Sequence, residues 1–125
     1  MATGNTGAGY LTTHILDTAR GCPAPDISIK VYRITSNCDF ILLGNGKTNS
    51  DGRLNKPILS GSDFQVGKYE IRFEVRNYLK RHFKIQSDKL FLEEIPIRFN
   101  IADQSEHYHV PLLLAPFGYT TYRGS

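Results

Sequence analysis

The sequence predicts an all-β domain, an antiparallel sandwich interrupted by one short helix, on three observations. Two stretches alternate apolar and polar residues without a break: Tyr69, Ile71, Phe73 and Val75 against Glu70, Arg72, Glu74 and Arg76, then Ile95, Ile97, Phe99 and Ile101 against Pro96, Arg98, Asn100 and Ala102. Successive side chains of a strand point to opposite faces, so a period of two marks strands with one buried face. Short apolar runs recur along the rest of the chain between turns rich in Gly, Pro and Asn, as a sandwich requires. Only residues 77–86 lose the period; there Leu79 and Phe83, four apart, predict the helix.

Taken in order, residues 1–9 are small and glycine-rich and are expected to form a flexible tail, leaving residues 10–125 as one domain. Residues 11–17 form a first extended segment, with Leu11, Thr13 and Ile15 on one face and Thr12, His14 and Leu16 on the other. Leu11 and Ile15 serve the core, so His14 is directed outward or into a groove. Residues 20–25 have loop composition, and residues 27–35 then alternate, with Ile27, Ile29 and Val31 on one side. Residues 40–43 are a short apolar run, and the strand resumes past Gly44, Asn45 and Gly46 to Thr48. Asn49 to Gly52 read as a turn, because Gly takes positive φ without cost and Asn or Asp bond back to the backbone. Arg53 follows at once, held at a sheet end.

Beyond the two alternating stretches, strands at 107–114 and 118–122 close the chain around Ala115, Pro116 and Phe117. His107, His109, Pro111 and Leu113 share one face of the first, opposite Tyr108, Val110, Leu112 and Leu114. Both faces carry apolar residues, which predicts that the outer one meets a second subunit.

Composition narrows the function. A formal charge of +3, interleaved with acids, gives no electrostatic case for nucleic acid. No apolar run approaches membrane-spanning length. Cys22 and Cys38 are too few for a disulfide-built scaffold; free thiols in a reducing compartment are expected, with one bridge between them as the alternative. Residues 1–9 lack the basic start and apolar segment of a secretory signal, and Arg123, Gly124 and Ser125 are no peroxisomal tripeptide. A cytoplasmic protein is expected.

The chemistry has few candidates. Without a Gly-x-Ser-x-Gly elbow or a phosphate-cradling loop, serine-triad and nucleotide enzymes are poor readings. His107 and His109 lie on one strand face, but a catalytic zinc needs a third protein ligand and none stands at a recognisable spacing, so no metal is expected. Imidazole exchanges a proton near neutral pH, so a pairing of histidines is suited to activating water. Arg53 offers a planar fork of donors for a carbonyl edge or a developing negative charge. On the residues alone each has a plainer reading: a strand histidine is more often a surface or satisfied core residue, and a turn arginine is usually solvated.

Three segments carry a family resemblance. The run Leu-Thr-Thr-His-Ile-Leu-Asp-Thr-Ala-Arg-Gly-Cys-Pro-Ala at 11–24, the Gly52-Arg53 turn, and His-Tyr-His-Val-Pro-Leu-Leu-Leu-Ala-Pro-Phe-Gly-Tyr-Thr-Thr-Tyr-Arg-Gly-Ser at 107–125 resemble the 5-hydroxyisourate hydrolases, transthyretin-like enzymes acting after urate oxidation. The terminal Tyr-Arg-Gly-Ser is the most specific part. The resemblance implies a transthyretin-like sandwich of two four-stranded sheets with one short helix, assembled as a homotetramer with active sites in a channel between subunits. It implies hydrolysis of the cyclic amide of 5-hydroxyisourate, a small purine-derived substrate, with no cofactor.

Matched residue by residue, the resemblance makes His14, Arg53, His109 and Ser125 the catalytic residues and His14, Arg53 and Tyr122 the substrate-binding ones. It implies that a neutral His14 or His109 takes a proton from the attacking water. Arg53 then holds the substrate, and the terminus from Tyr122 through Arg123 and Gly124 to Ser125 closes the pocket. Ser125 would act through its hydroxyl or its carboxylate. The same resemblance implies a bulge or an outward-facing position for Pro111, which otherwise removes a ladder donor. The rival reading is a carrier of the transthyretin kind, a branch that lacks the histidine pair together with the terminal tetrapeptide.

Overall fold

The chain is seen in a computed structural model that describes residues 9–125; of the expected tail, residues 1–8 lie outside the described residues. The strands are β1 (Tyr10–Thr12), β2 (Ile15–Asp17), β3 (Cys22–Pro23), β4 (Ser28–Ile34), β5 (Phe40–Lys47), β6 (Leu59–Ser60), β7 (Gly67–Glu74), β8 (Glu94–Ile101), β9 (His107–His109), β10 (Leu112–Ala115) and β11 (Gly118–Thr121). The helix α1 (Arg76–Phe83) leads from β7 toward β8. It begins one residue earlier than the spacing predicts and stops at Lys84, which takes a left-handed conformation with φ of 54°.

One layer is the antiparallel sheet β5-β4-β7-β8. Its register sets Val31 beside Ile71 and Ile71 beside Ile97, so the apolar faces read from the sequence align in rows. Ile29, Val31, Tyr69, Ile71 and Phe73 are fully buried. Each such side chain withdrawn from water contributes about 1.5–3 kcal/mol before the cost of ordering it. The outer face also buries Glu70, which accepts from Arg72 Nε at 2.6 Å and Arg98 Nε at 2.8 Å. Burial works against its charge, but the two guanidinium hydrogen bonds outweigh this and hold its pKa below the ordinary glutamate value.

The opposing layer departs from a single antiparallel four-stranded sheet. It divides into β6-β1-β9 and β11-β10-β2-β3, and β1 with β9 and β2 with β10 run parallel. The division falls between β1 and β2 and between β9 and β10, where Pro111 stands. The parallel register is nevertheless continuous, with Val110 N–H donating to Thr12 O at 3.0 Å and Leu112 N–H to His14 O at 2.9 Å. Alternate residues of a parallel strand bond to the same neighbour, so Pro111 sits where no donor to β1 or β2 is needed. Its carbonyl accepts from the Thr121 hydroxyl at 2.8 Å.

Strand parity holds on both sides of the break. Leu11, Thr13, Ile15 and Asp17 are buried, as are Tyr108, Val110, Leu112 and Leu114. Asp17 is fully buried beneath α1, where it accepts from the Tyr78 hydroxyl at 2.6 Å and the Arg20 backbone N–H at 2.9 Å. Both cysteines are free, Cys38 exposed and Cys22 half-buried. Among the described residues no helix is long and apolar enough to cross a membrane.

Candidate active site

The outward face of the broken layer gathers residues from four parts of the chain. The break after Thr12 leaves the His14 backbone free of β6, and the turn at 49–53 takes its place. Arg53 bridges His14 in antiparallel fashion, and Ile15 N–H donates to Gly52 O at 2.8 Å. The Asn49 side chain caps the turn, accepting from Asp51 N–H at 2.8 Å and Arg53 N–H at 3.2 Å. Gly52 is required twice over. Its φ is +71°, and a Cβ there would lie 2.5 Å from Ile15 O. Arg53 is thereby pinned beside His14, although 39 residues separate them in the sequence.

On the other side, β1 sets Thr12 beside His109 and Tyr10 beside His107. The free edge of β9 receives the end of the chain: Gly124 bridges His109, its N–H donating to His109 O at 2.7 Å. These segments wall an open cleft of about 470 Å³ lined by His14, Arg53, His109, Tyr122 and Ser125. All five expected site residues therefore face one space. Arg123 does not. Its guanidinium lies 3.9 Å from the centre of the Tyr108 ring, paired with Glu106, because alternation along an extended terminus turns it away from Tyr122 and Gly124.

Within the cleft the imidazoles are joined. His14 Nδ1 and His109 Nε2 are 2.7 Å apart, with ring centroids separated by 4.8 Å. His109 Nδ1 lies 2.7 Å from the Thr12 hydroxyl, which is also 2.6 Å from His107 Nε2. His109 therefore has both ring nitrogens engaged, whereas His14 engages Nδ1 and, among the described residues, leaves Nε2 without a protein partner.

Electrostatics keep the pair neutral. Burial, reinforced by the Arg53 charge, lowers the pKa of His14 below the ordinary imidazole value. Burial, followed by His14, Arg53 and His107, lowers His109 to about 4. Near neutral pH both rings are bases. Sequence reasoning missed Thr12 as a partner of the pair, along with Tyr10 and Lys56, which also line the cleft. Thr12 had a readable signal, since it shares a strand face with His14. Lys56 had none, because only the folding of the 54–58 loop brings it here. Among the described residues no group of three His, Cys, Asp or Glu side chains is arranged to hold a metal ion.

Two hydrogen-bonded imidazoles beside a guanidinium, in an open cleft on a β-sandwich of the transthyretin type, are groups of the kind that acid–base hydrolysis needs. The HIUase/Transthyretin family model matches residues 11–124. A 5-hydroxyisourate hydrolase of Halalkalibacterium halodurans is 47% identical over 94% of this chain and 99% of its own length. The crystal structure of (S)-allantoin synthase matches with a TM-score of 0.86 and 43% identity over 94% of this chain, which spans 44% of that longer one. Sea bream transthyretin in complex with thyroxine matches with a TM-score of 0.81 and 27% identity over 91% of this chain and 93% of its own. The chain belongs to the HIUase/Transthyretin family.

Proposed function

We propose that this chain is a 5-hydroxyisourate hydrolase that opens the cyclic amide to give 2-oxo-4-hydroxy-4-carboxy-5-ureidoimidazoline. One observation carries the reading: a hydrogen-bonded pair of neutral imidazoles, with one ring nitrogen open to a cleft that also contains a guanidinium. The relatives named 5-hydroxyisourate hydrolase, matched over nearly their whole length, give the substrate.

His14 is the base. His109 has no nitrogen left for water, whereas His14 Nε2 faces the cleft. Water loses a proton to His14 Nε2 as its oxygen bonds to the amide carbonyl, and Arg53 offsets the charge that develops on the carbonyl oxygen. The tetrahedral carbon then expels the ring nitrogen, which takes the proton back from His14 as the C–N bond breaks. Tyr122 orients the ring, and Ser125 closes the cleft beside it.

The working domain spans residues 10–125 and acts as a homotetramer in the cytoplasm. Tyr122 lines the cleft and is 51% exposed, and Phe117 and Tyr119, earlier on the same closing hairpin, are 73% and 45% exposed, apolar area suited to burial by neighbouring subunits. Two free cysteines suit a reducing compartment.

The test is spectrophotometric. Urate oxidase generates 5-hydroxyisourate in the cuvette, and its ultraviolet decay is followed with and without the protein. Strong acceleration is expected, with loss of at least about a hundredfold in His14→Ala and a retained fold. Decay at the spontaneous rate with the intact protein would refute the activity and leave a carrier role.

A further inference from the structure

The pairing of His14 with His109 does not by itself say which nitrogen carries each proton. A neutral imidazole has one N–H and one lone pair, and its tautomer follows from what its other nitrogen meets. The chain of contacts is longer than the pair, running from His14 Nδ1 to His109 Nε2, from His109 Nδ1 to Thr12 Oγ1, and from Thr12 Oγ1 to His107 Nε2 at 2.7, 2.7 and 2.6 Å. Every link is short; Thr12, His107 and His109 come from β1 and β9 in fixed parallel register, and His14 stands two residues beyond β1, where Arg53 bridges it.

We propose that Thr12 is a positioning residue that sets the proton polarity of this chain, with His107 as its outer acceptor. The inference rests on the hydrolase reading above, in which His14 Nε2 must present a lone pair to water. Its proton then sits on Nδ1 and is donated to His109 Nε2. His109 accordingly carries its own proton on Nδ1 and donates it to Thr12 Oγ1. A hydroxyl has a single hydrogen, so Thr12 must donate that hydrogen to His107 Nε2, and His107 holds its proton on Nδ1. The reversed chain would turn His14 Nε2 into an N–H donor, which cannot take a proton from water.

One feature anchors the outer end of the chain and a second favours the productive direction. His107 stacks on Tyr10 with ring centroids 4.2 Å apart and is half-buried, which fixes its ring with Nε2 toward Thr12. Arg53 stands on the His14 side of the chain, and a guanidinium near His14 repels an N–H dipole pointed into the cleft. When His14 Nε2 takes up the proton of water, the charge spreads along the same chain. His14 Nδ1 yields its proton toward His109 Nε2 while His109 Nδ1 yields toward Thr12, and each step reverses when the leaving nitrogen is protonated.

The experiment combines kinetics with nitrogen-15 NMR of the imidazoles in the full chain. The ligand-free protein at neutral pH should show His14 and His109 both protonated on Nδ1. Thr12→Val keeps the branched shape and removes the hydroxyl. It should lower kcat by about tenfold or more with KM little changed, and His109 should lose its Nδ1–H preference. Thr12→Ser restores the hydroxyl and should recover most of the loss. Protonation of His14 on Nε2 in the intact protein would overturn the proposal without any variant, even if Thr12→Val failed to fold. Equal damage from Ser and Val, or a Val variant with the original kcat, would also overturn it. The tautomers are read without substrate, so failure of the activity assay would sink the hydrolase reading and leave the proton polarity independently tested.

Discussion

Gly124→Ala should cripple turnover while leaving the fold in place. A Cβ built at Gly124 would lie 2.8 Å from His109 Cδ2 and 3.3 Å from His109 Cβ, whereas ordinary carbon contacts begin near 3.4 Å. The backbone is not the obstacle, since Gly124 does not take a positive φ. Relief therefore requires moving the imidazole by about 0.6 Å or tilting it. Cδ2 is bonded to Nε2, the atom that meets His14 Nδ1 at 2.7 Å, and Thr12 holds the opposite side of the ring. A displacement of that size takes the imidazole contact past about 3.2 Å, the outer limit of a good N–H hydrogen bond. Misplacement of a reacting group by about 1 Å costs on the order of a hundredfold, so kcat should fall by about ten- to a hundredfold. Overpacking at the cleft wall should cost about 1 kcal/mol of stability. The assay is the decay of 5-hydroxyisourate, run beside thermal unfolding. Arg123→Ala is the control: its side chain lies on Tyr108, outside the cleft, and kcat should stay within about twofold. A Gly124→Ala variant with undiminished kcat would refute the geometric reasoning, as would an equal loss in Arg123→Ala.

Activity should persist on the acid side of the ordinary imidazole range. Both histidines have lowered pKa values, His109 at about 4, so kcat/KM should stay level as pH falls through 6.5 and decline below it as the pair is protonated. The same shifts make folding stability fall from pH 6.5 toward 4, because the unfolded chain binds protons that the folded one refuses. In Arg53→Gln the acid limb should move to higher pH, since a charge that helps burial depress both imidazoles is gone, and kcat should drop as well; a limb fixed in place would show that Arg53 does not set these values. Tyr78→Phe removes a donor from the buried Asp17 carboxylate on the core face of β2 and should cost about 1–3 kcal/mol, read as a lower Tm with kcat retained.

The alternation at 69–75 and 95–101 was sufficient to specify β7 and β8 as strands with one buried face, because a strand's two faces are written directly in its residues and one face must leave water. The same parity sent His14 and His109 away from the core. The sequence by itself therefore determined the class of fold, the side of the sheet to which His14 and His109 point, and, through its terminal motif and the 11–24 run, the family. It did not determine the division of the second layer or its parallel pairs, since parity is identical for parallel and antiparallel neighbours. Nor did it separate His14 from His109 as the base. That choice depends on which ring nitrogen is already engaged, and hence on the register that sets Thr12 beside His109 across 97 positions of the chain. Arg123 is turned out of the cleft and Lys56 brought into it for the same reason: whether a long side chain reaches a cleft is decided by the strand or loop that carries it, and only tertiary contacts fix where those lie.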